Sequence, residues 1–407
     1  MRPRLVRQRS LLSALALGMT MFASPAAAAS PAAIQFTRFG SAAGFASGTL
    51  GGVVLDADRL VITSGATSGT WLSPLIEPGF AFTRLVASWN ADTPADGRLR
   101  VDAQVTTVVG ETSDWYALGT WAADDHAVTR TSTNGQADAL GKIDTDTLAA
   151  RAEPFVSYVL RVRLERASSD DPSPNVRLLG AEVSAVKYSA TMATSEPLGG
   201  DTVELPVPAL SQEVHARQYP QWGGGGEAWC SPTSTEMVVE YWGRGPGADD
   251  LAWVDPSYAD PSVDFAARST YDVAYRGTGN WPFNTAYAAQ FGLDAFVTQL
   301  RSLAEAERFV RAGIPLVASI AAGPAELDGF LFSGGTNGHL VVIAGFDASG
   351  RPIVNDPAAW ANGGVRRVYD RAQFERVWLR GSNGTVYVIH PQDVPLPPTP
   401  DGATANW

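Results

Sequence analysis

Between residue 30 and about residue 190 the chain repeats one pattern: a short apolar or alternating run, then a cluster of turn residues. The runs are Gly52–Leu55, Leu60–Thr63, Leu85–Trp89, Leu99–Val109, Val156–Leu164 and Val176–Val186, divided by stretches such as DADRL, NADTPADG and SSDDPSP. Short strands at this spacing, with Gly, Asn, Asp and Pro between them, predict a β-sandwich of jelly-roll type over residues 30–190. Forty glycines and 27 prolines in the chain favour strands and turns over a helical bundle. Trp71, Trp89, Trp115 and Trp121 fall in this half. Core or half-buried packing is their ordinary reading. A sugar-binding platform, giving a glycan contact through this half, is the alternative.

The pattern then changes. Residues 191–209, inside SATMATSEPLGGDTVELPVPALSQ, hold neither period and are predicted to be a linker. Beyond them, SPTSTEMVVEYWG, NTAYAAQFG and SLAEAERFVRAG read as helices, each ended by a glycine. IPLVASIAA, HLVVIAGFD, RPIVNDPA, VRRVYD and TVYVIH follow as strands. Helices first and antiparallel strands after predict an α+β domain over residues 210–395, with a tail at residues 396–407. At roughly 100–200 residues per domain, 407 residues accommodate this division.

The first 29 residues differ from both halves. MRPRLVRQRS is basic, LLSALALGMTMFA is an apolar run too short to span a bilayer, and SPAAAAS offers small residues for cleavage. A secretory signal peptide is predicted, giving a secreted, extracellular or wall-associated product with no membrane contact after cleavage. The net charge is −12, and the signal carries four of the arginines (Arg2, Arg4, Arg7, Arg9) and no acid. The remainder is more acidic still. Such a surface repels phosphate backbones, which argues against nucleic acid as a partner.

The chain has one cysteine, Cys230, and four histidines. One thiol makes no internal disulfide and no thiolate zinc cluster, and neither a metal nor an organic cofactor is implied. Cys230 precedes Ser231, Pro232, Thr233 and Ser234 and then the apolar positions Met237, Val238, Tyr241 and Trp242. Pro suits a first helical turn and Ser or Thr cap free amides there, so Cys230 is predicted at a helix N-terminus. The helix dipole and free N–H groups favour thiolate at that place, and the same amides can receive an oxyanion. A thiolate nucleophile needs a proton partner. His339, in TNGHLVVIAGFD, stands at the start of an apolar strand after a Gly-rich turn, where it can face a cleft. Asp356, in VNDPAA, follows one hairpin later and is placed to orient the imidazole. Asn355 is the neighbouring alternative, turned to the other face by strand alternation. Singly, each residue has an inert reading; their conjunction favours nucleophilic catalysis. His215 precedes the Gly223–Gly226 run, His390 ends the last strand and His126 lies in the β half; all three are weaker candidates.

These residues carry a resemblance. LSQ at Gln212, WCSPTS at Cys230, GNWPFNTA, AGIPLVASI, NGHLVVIAGF at His339, VNDPAA at Asp356 and VYDRAQFERVW occur in that order. The stretch from Leu210 to Val388 resembles the exported C39-like cysteine peptidases of actinobacteria, in the papain-like superfamily. The resemblance implies a papain-like cysteine peptidase domain in which Cys230 is nucleophile, His339 general base and Asp356 orienter. It also implies an upstream Gln in the oxyanion hole. Gln212 matches that position, although Gln218 and Gln221 lie closer to Cys230. Many such proteins process double-glycine leaders within transporters; this chain shows no transporter segment. A secreted cysteine peptidase acting on a peptide or cell-wall peptide is the function implied. A cell-wall amidase or acyltransferase with the same triad, or a catalytically silent wall-binding protein, are the alternatives.

Overall fold

The computed structural model describes residues 33–189 and 191–407, so the predicted signal segment lies outside the described residues. Residues 32–407 make one compact unit built on three antiparallel sheets and six helices among the described residues.

Two sheets form the first half. One runs Val53–Asp56, Arg59–Ile62, Asn175–Ser184, Arg84–Asp92, Thr147–Ala150, Gly141–Asp144, with Ile34–Phe39 also paired to Asn175–Ser184. The other runs Thr49–Gly51, Ser68–Leu72, Phe155–Glu165, Arg98–Thr107, Tyr116–Trp121. Their facing side chains share one core, in which Trp71, Trp89 and Trp121 are sealed from solvent. Only Trp115 of the four tryptophans is partly open, and Arg161 stacks on its ring at 4.0 Å. Large buried rings supply apolar area to a core and leave no face for a sugar.

The strand Arg84–Asp92 is buried on both faces. Leu85, Ala87, Trp89 and Ala91 belong to the core shared by the two sheets. The alternate residues point at the second half. Ser88 accepts the Val297 N–H (2.8 Å), and Asn90 both accepts the Ala295 N–H (3.1 Å) and donates to the Ala295 carbonyl (2.6 Å). Polar side chains thus satisfy the open edge of the strand Asp294–Gln299, which would otherwise present unpaired backbone groups. Arg177 closes the same seam with a buried 2.6 Å ion pair to Asp294. Phe283 of the helix Trp281–Ala289 enters the core shared by the two sheets between Trp89 and Trp121, at 6.1 and 5.4 Å between ring centroids. Gly119 makes room for it, because a Cβ there would stand 3.1 Å from Phe283 and 3.2 Å from Trp89.

The second half is a sheet ordered Asp294–Gln299, Thr385–His390, Leu316–Ala322, Thr336–Phe346, Pro352–Asn355, Arg366–Val368. The helices Cys230–Tyr241, Trp281–Ala289 and Leu303–Arg311 fall where the sequence predicts them. The order of elements does not follow the expectation of helices first and strands after. Asp294–Gln299 lies between two helices, and it shows no alternation because all six residues are buried. Two further helices, Pro261–Thr270 and Arg371–Ser382, complete the domain. The second of these starts at Asp370, whose side chain accepts the Gln373 N–H.

Residues 191–209 do not hang free as a tether. Ser195 is held by Glu375 and Arg371, and Val203–Glu204 adds a short strand to Thr336–Phe346. The C-terminal tail is likewise fixed: buried Asn406 donates to the Gln299 carbonyl at 2.7 Å, and Trp407 meets Phe309 at 4.9 Å. Among the described residues no helix is long and apolar enough to cross a membrane.

Candidate active site

Cys230 is the first residue of its helix, and the preceding Trp229 provides no side-chain cap. The Ser and Thr residues read as caps do something else. Ser231 meets the Tyr387 hydroxyl at 2.9 Å, Ser234 donates to the Leu340 carbonyl at 3.0 Å, and the buried Thr233 hydroxyl has no hydrogen-bond partner among the described residues. The two serines dock the helix on the sheet, Thr235 ties it to Asn284 of the neighbouring helix at 3.2 Å, and the first-turn N–H groups are left without side-chain partners. Gly226 lets the segment carrying Gln212 press against the loop before Cys230, since a Cβ at Gly226 would collide with the Gln212 carbonyl.

The docking strand is the one that holds His339. Thr336–Phe346 pairs with Leu316–Ala322 on one side, with His339 opposite Ile320, and with Pro352–Asn355 on the other, with Val342 opposite Asn355. The chain leaves that last strand at Asp356. His339 and Asp356 therefore meet across adjacent strands, Nε2 to Oδ1 at 2.7 Å, both fully buried. The carboxylate accepts two more hydrogen bonds, from the Ala358 N–H at 3.1 Å and the Tyr369 hydroxyl at 3.0 Å, and the Asp356 backbone N–H donates to the Val365 carbonyl. Tyr369 escaped the sequence reading, because a tyrosine 13 residues past an Asp-Pro turn carries no motif. With Nε2 committed to Asp356, the Nδ1 side of the ring is left for the Cys230 sulfur, whose ionisation the nearby imidazole favours. Asn355 faces away and donates to the Val207 and Pro208 carbonyls, at 3.2 and 3.1 Å.

The charges reinforce one another. Burial pushes the Cys230 thiol up, but the hydrogen bond and charge of His339, joined by the Leu340 N–H, more than offset it, and the thiol ends below its ordinary value. Burial alone would lower His339; the charge and hydrogen bond of Asp356, and then the sulfur, raise it instead to about 10. Burial opposes ionisation of Asp356 as well, yet His339 and its hydrogen bonds hold it below the usual carboxylate range. A thiolate–imidazolium pair backed by a carboxylate is the state these terms favour.

Gln212 is buried beside this group, with its Nε2 donating to the Glu227 carbonyl at 2.9 Å. Its second Nε2 hydrogen makes only a 3.4 Å contact with Glu213. Gln218 is engaged with His215 at 3.0 Å, and His215 also meets buried Asp264 at 3.2 Å, behind Trp229. His390 is buried and bonded to the Pro391 and Val394 carbonyls, and His126 is exposed in the first half.

Cys230, Gln212 and His339 line a cleft of about 700 Å³. Phe332, whose ring stands 4.9 Å from that of His339, forms part of its rim. One wall comes from the first half: Arg84, Asp144 to Thr147, and Ala149. Asp146 is buried there and accepts the N–H of Trp281, the first residue of its helix, at 3.0 Å. The sequence reading did not foresee this wall, because no local pattern reports a contact over 135 residues.

Comparison with known proteins adds the following. Residues 35–184 match the family model described as the Peptidase C39 N-terminal domain. Residues 204–386 match that described as the Peptidase C39 like family. No curated protein matches the chain. Among solved structures, a prointerpain A fragment from Prevotella intermedia is 14% identical, covering 49% of this chain and 76% of that one at a TM-score of 0.28. A Glycosylation Associate Protein (Gap123) complex from Streptococcus agalactiae is 15% identical, covering 40% and 48% at a TM-score of 0.19. The first match takes in most of the two-sheet half, and the second, which holds Cys230, His339 and Asp356, makes that half similar to the C39-like peptidase family.

Proposed function

We propose that this protein is a secreted cysteine peptidase that cleaves peptide or amide bonds through Cys230, His339 and Asp356. One observation carries the reading. The chain's single thiol stands at an uncapped helix start, within reach of the charge of an imidazole whose Nε2 is held by a buried carboxylate. That arrangement supplies nucleophile, proton carrier and orienter in one connected line.

The Cys230 thiolate attacks the substrate carbonyl carbon. The oxygen takes up the charge against the Cys230 backbone N–H and the Gln212 amide hydrogen that now makes only its long contact with Glu213. His339, protonated beside Asp356, gives its proton to the leaving amine. Water then attacks the thioester, His339 takes the water's proton, and the thiolate is released. Export rests on the pattern of residues 1–29, and the two-sheet first half is assigned to the jelly-roll type on its strand spacing.

Two variants test the roles. His339→Ala removes both the proton carrier and the charge that ionises the sulfur, and is expected to lower kcat/KM on an unstructured protein substrate by at least about 1000-fold. Asp356→Ala leaves the imidazole in place but unoriented, and a smaller loss, about 10–100-fold, is expected for the folded fraction. Equal or reversed losses would assign the orienting role elsewhere. Asp356→Ala also strands the Tyr369 hydroxyl and the Ala358 N–H in the interior, so a stability loss of about 1–3 kcal/mol accompanies it.

A further inference from the structure

The wall that the first half contributes to the cleft contains a cation with no hydrogen-bond or ion-pair partner among the described residues. Arg84 begins the strand Arg84–Asp92, opposite Ala149 on one side and Ser184 on the other. Its side chain is half-buried and lines the cleft together with Cys230. Among the described residues it makes no ion pair and no side-chain hydrogen bond, and its Nε is buried without a partner. Fifteen other arginines among the described residues do form ion pairs, whereas this guanidinium is left open in the cleft that holds the candidate nucleophile.

The acids nearby make no ion pair with it, although Asp146 and Glu182 feel its charge. Asp144 of the same wall is paired with Lys142 at 2.6 Å. Asp146 is committed to the Trp281 N–H and the Thr147 hydroxyl, both at 3.0 Å. Glu227 receives the Arg217 N–H at 2.9 Å. Glu182, on the same sheet face as Arg84, is sealed in the interior, and that burial pushes its carboxyl up to about 8, keeping it neutral at pH 7. Arg276, exposed on the facing wall, adds a second cation. A half-buried guanidinium with an unfilled donor set is a receptor for a planar anion, and a carboxylate matches its fork.

We propose that Arg84 binds a carboxylate of the substrate, so that the first half selects peptides carrying a negative charge near the bond presented to Cys230. This rests on the peptidase reading of the cleft. The carboxylate is that of an acidic side chain or of a chain terminus, which share the same chemistry at Arg84.

Three alkylating probes test it without needing the natural substrate. They are the N-iodoacetyl derivatives of glutamic acid α-amide, glutamine α-amide and glutamine free acid. In each case a bond forms from sulfur to carbon and iodide leaves, and only the position of one carboxylate differs. The wild-type protein is expected to react with one of the charged probes about tenfold faster than with the neutral one, the scale of one charge-assisted hydrogen bond. Which charged probe wins tells side chain from terminus. Arg84→Gln is expected to bring the ratio to about one, Arg84→Lys to keep part of it, and added salt to reduce it in the wild type. Equal rates for all three probes in the wild type overturn the inference, as does a preference that survives Arg84→Gln or vanishes in Arg276→Gln instead. If Arg84→Gln fails to fold, the salt dependence and the Arg276→Gln variant decide alone. Slow reaction of every probe, and of iodoacetamide, would instead overturn the peptidase reading itself and this inference with it.

Discussion

Cys230→Ala is expected to abolish hydrolysis while the protein keeps its fold. The chain has no second thiol to take over the attack, and a nucleophile acting as a unit with its base is worth about 10⁴–10⁶ in kcat. The structural cost is small. Cys230 is half-buried at the first helical position, and alanine is a good helix former there. The ties that seat the helix, at Ser231, Ser234 and Thr235, remain. A melting temperature within a few degrees of wild type, together with no measurable turnover, is the expected result. Retained turnover would remove Cys230 from the chemistry.

Cutting the chain between the two halves is expected to have an equally large effect, on folding rather than on chemistry. A fragment starting at residue 191 exposes Phe283, Ala286 and Tyr287, which are sealed in the core of the first half in the intact protein. It also leaves Asp294 without Arg177, and breaking a buried ion pair by removing one partner costs about 3–5 kcal/mol. The edge strand Asp294–Gln299 loses the side chains of Ser88 and Asn90 that cap its backbone. Domains are commonly stable by about 5–15 kcal/mol in total, so these losses together exceed what the fragment can bear. The fragment is expected to be insoluble or to lack a cooperative thermal transition by circular dichroism. A fragment that melts cooperatively near the wild-type temperature would show the first half to be a mere appendage.

The same strand shows where reading the sequence succeeds and where it stops. Alternation of Leu85, Ala87, Trp89 and Ala91 with Ser88, Asn90 and Asp92 marks one face as core. It also makes the other face look solvated, whereas Ser88 and Asn90 are wholly buried against a strand two hundred residues away. Local pattern records polarity, not what a polar side chain is bonded to. Cys230, His339 and Asp356 were legible because each sits where local structure changes: a helix start, a strand after a glycine turn, and a strand end. Strand alternation also turned Asn355 away correctly. Arg84, Asp146 and Tyr369 were not legible, since each enters the cleft region or the buried carboxylate through a contact that no spacing encodes. Ser231 and Ser234 were read as caps from composition, but the sheet beneath the helix claimed them first.

The pH dependence of Cys230 alkylation by iodoacetamide tests the central claim most directly, in the wild type and in His339→Ala. A thiol lowered by His339 should react with a midpoint below the ordinary value near 8.5, with a further step near pH 10 as His339 loses its proton. In His339→Ala, burial is opposed only by the weaker Leu340 N–H, and the midpoint should move above the ordinary value. A wild-type midpoint at or above 8.5, or one that His339→Ala leaves unchanged, would contradict the account.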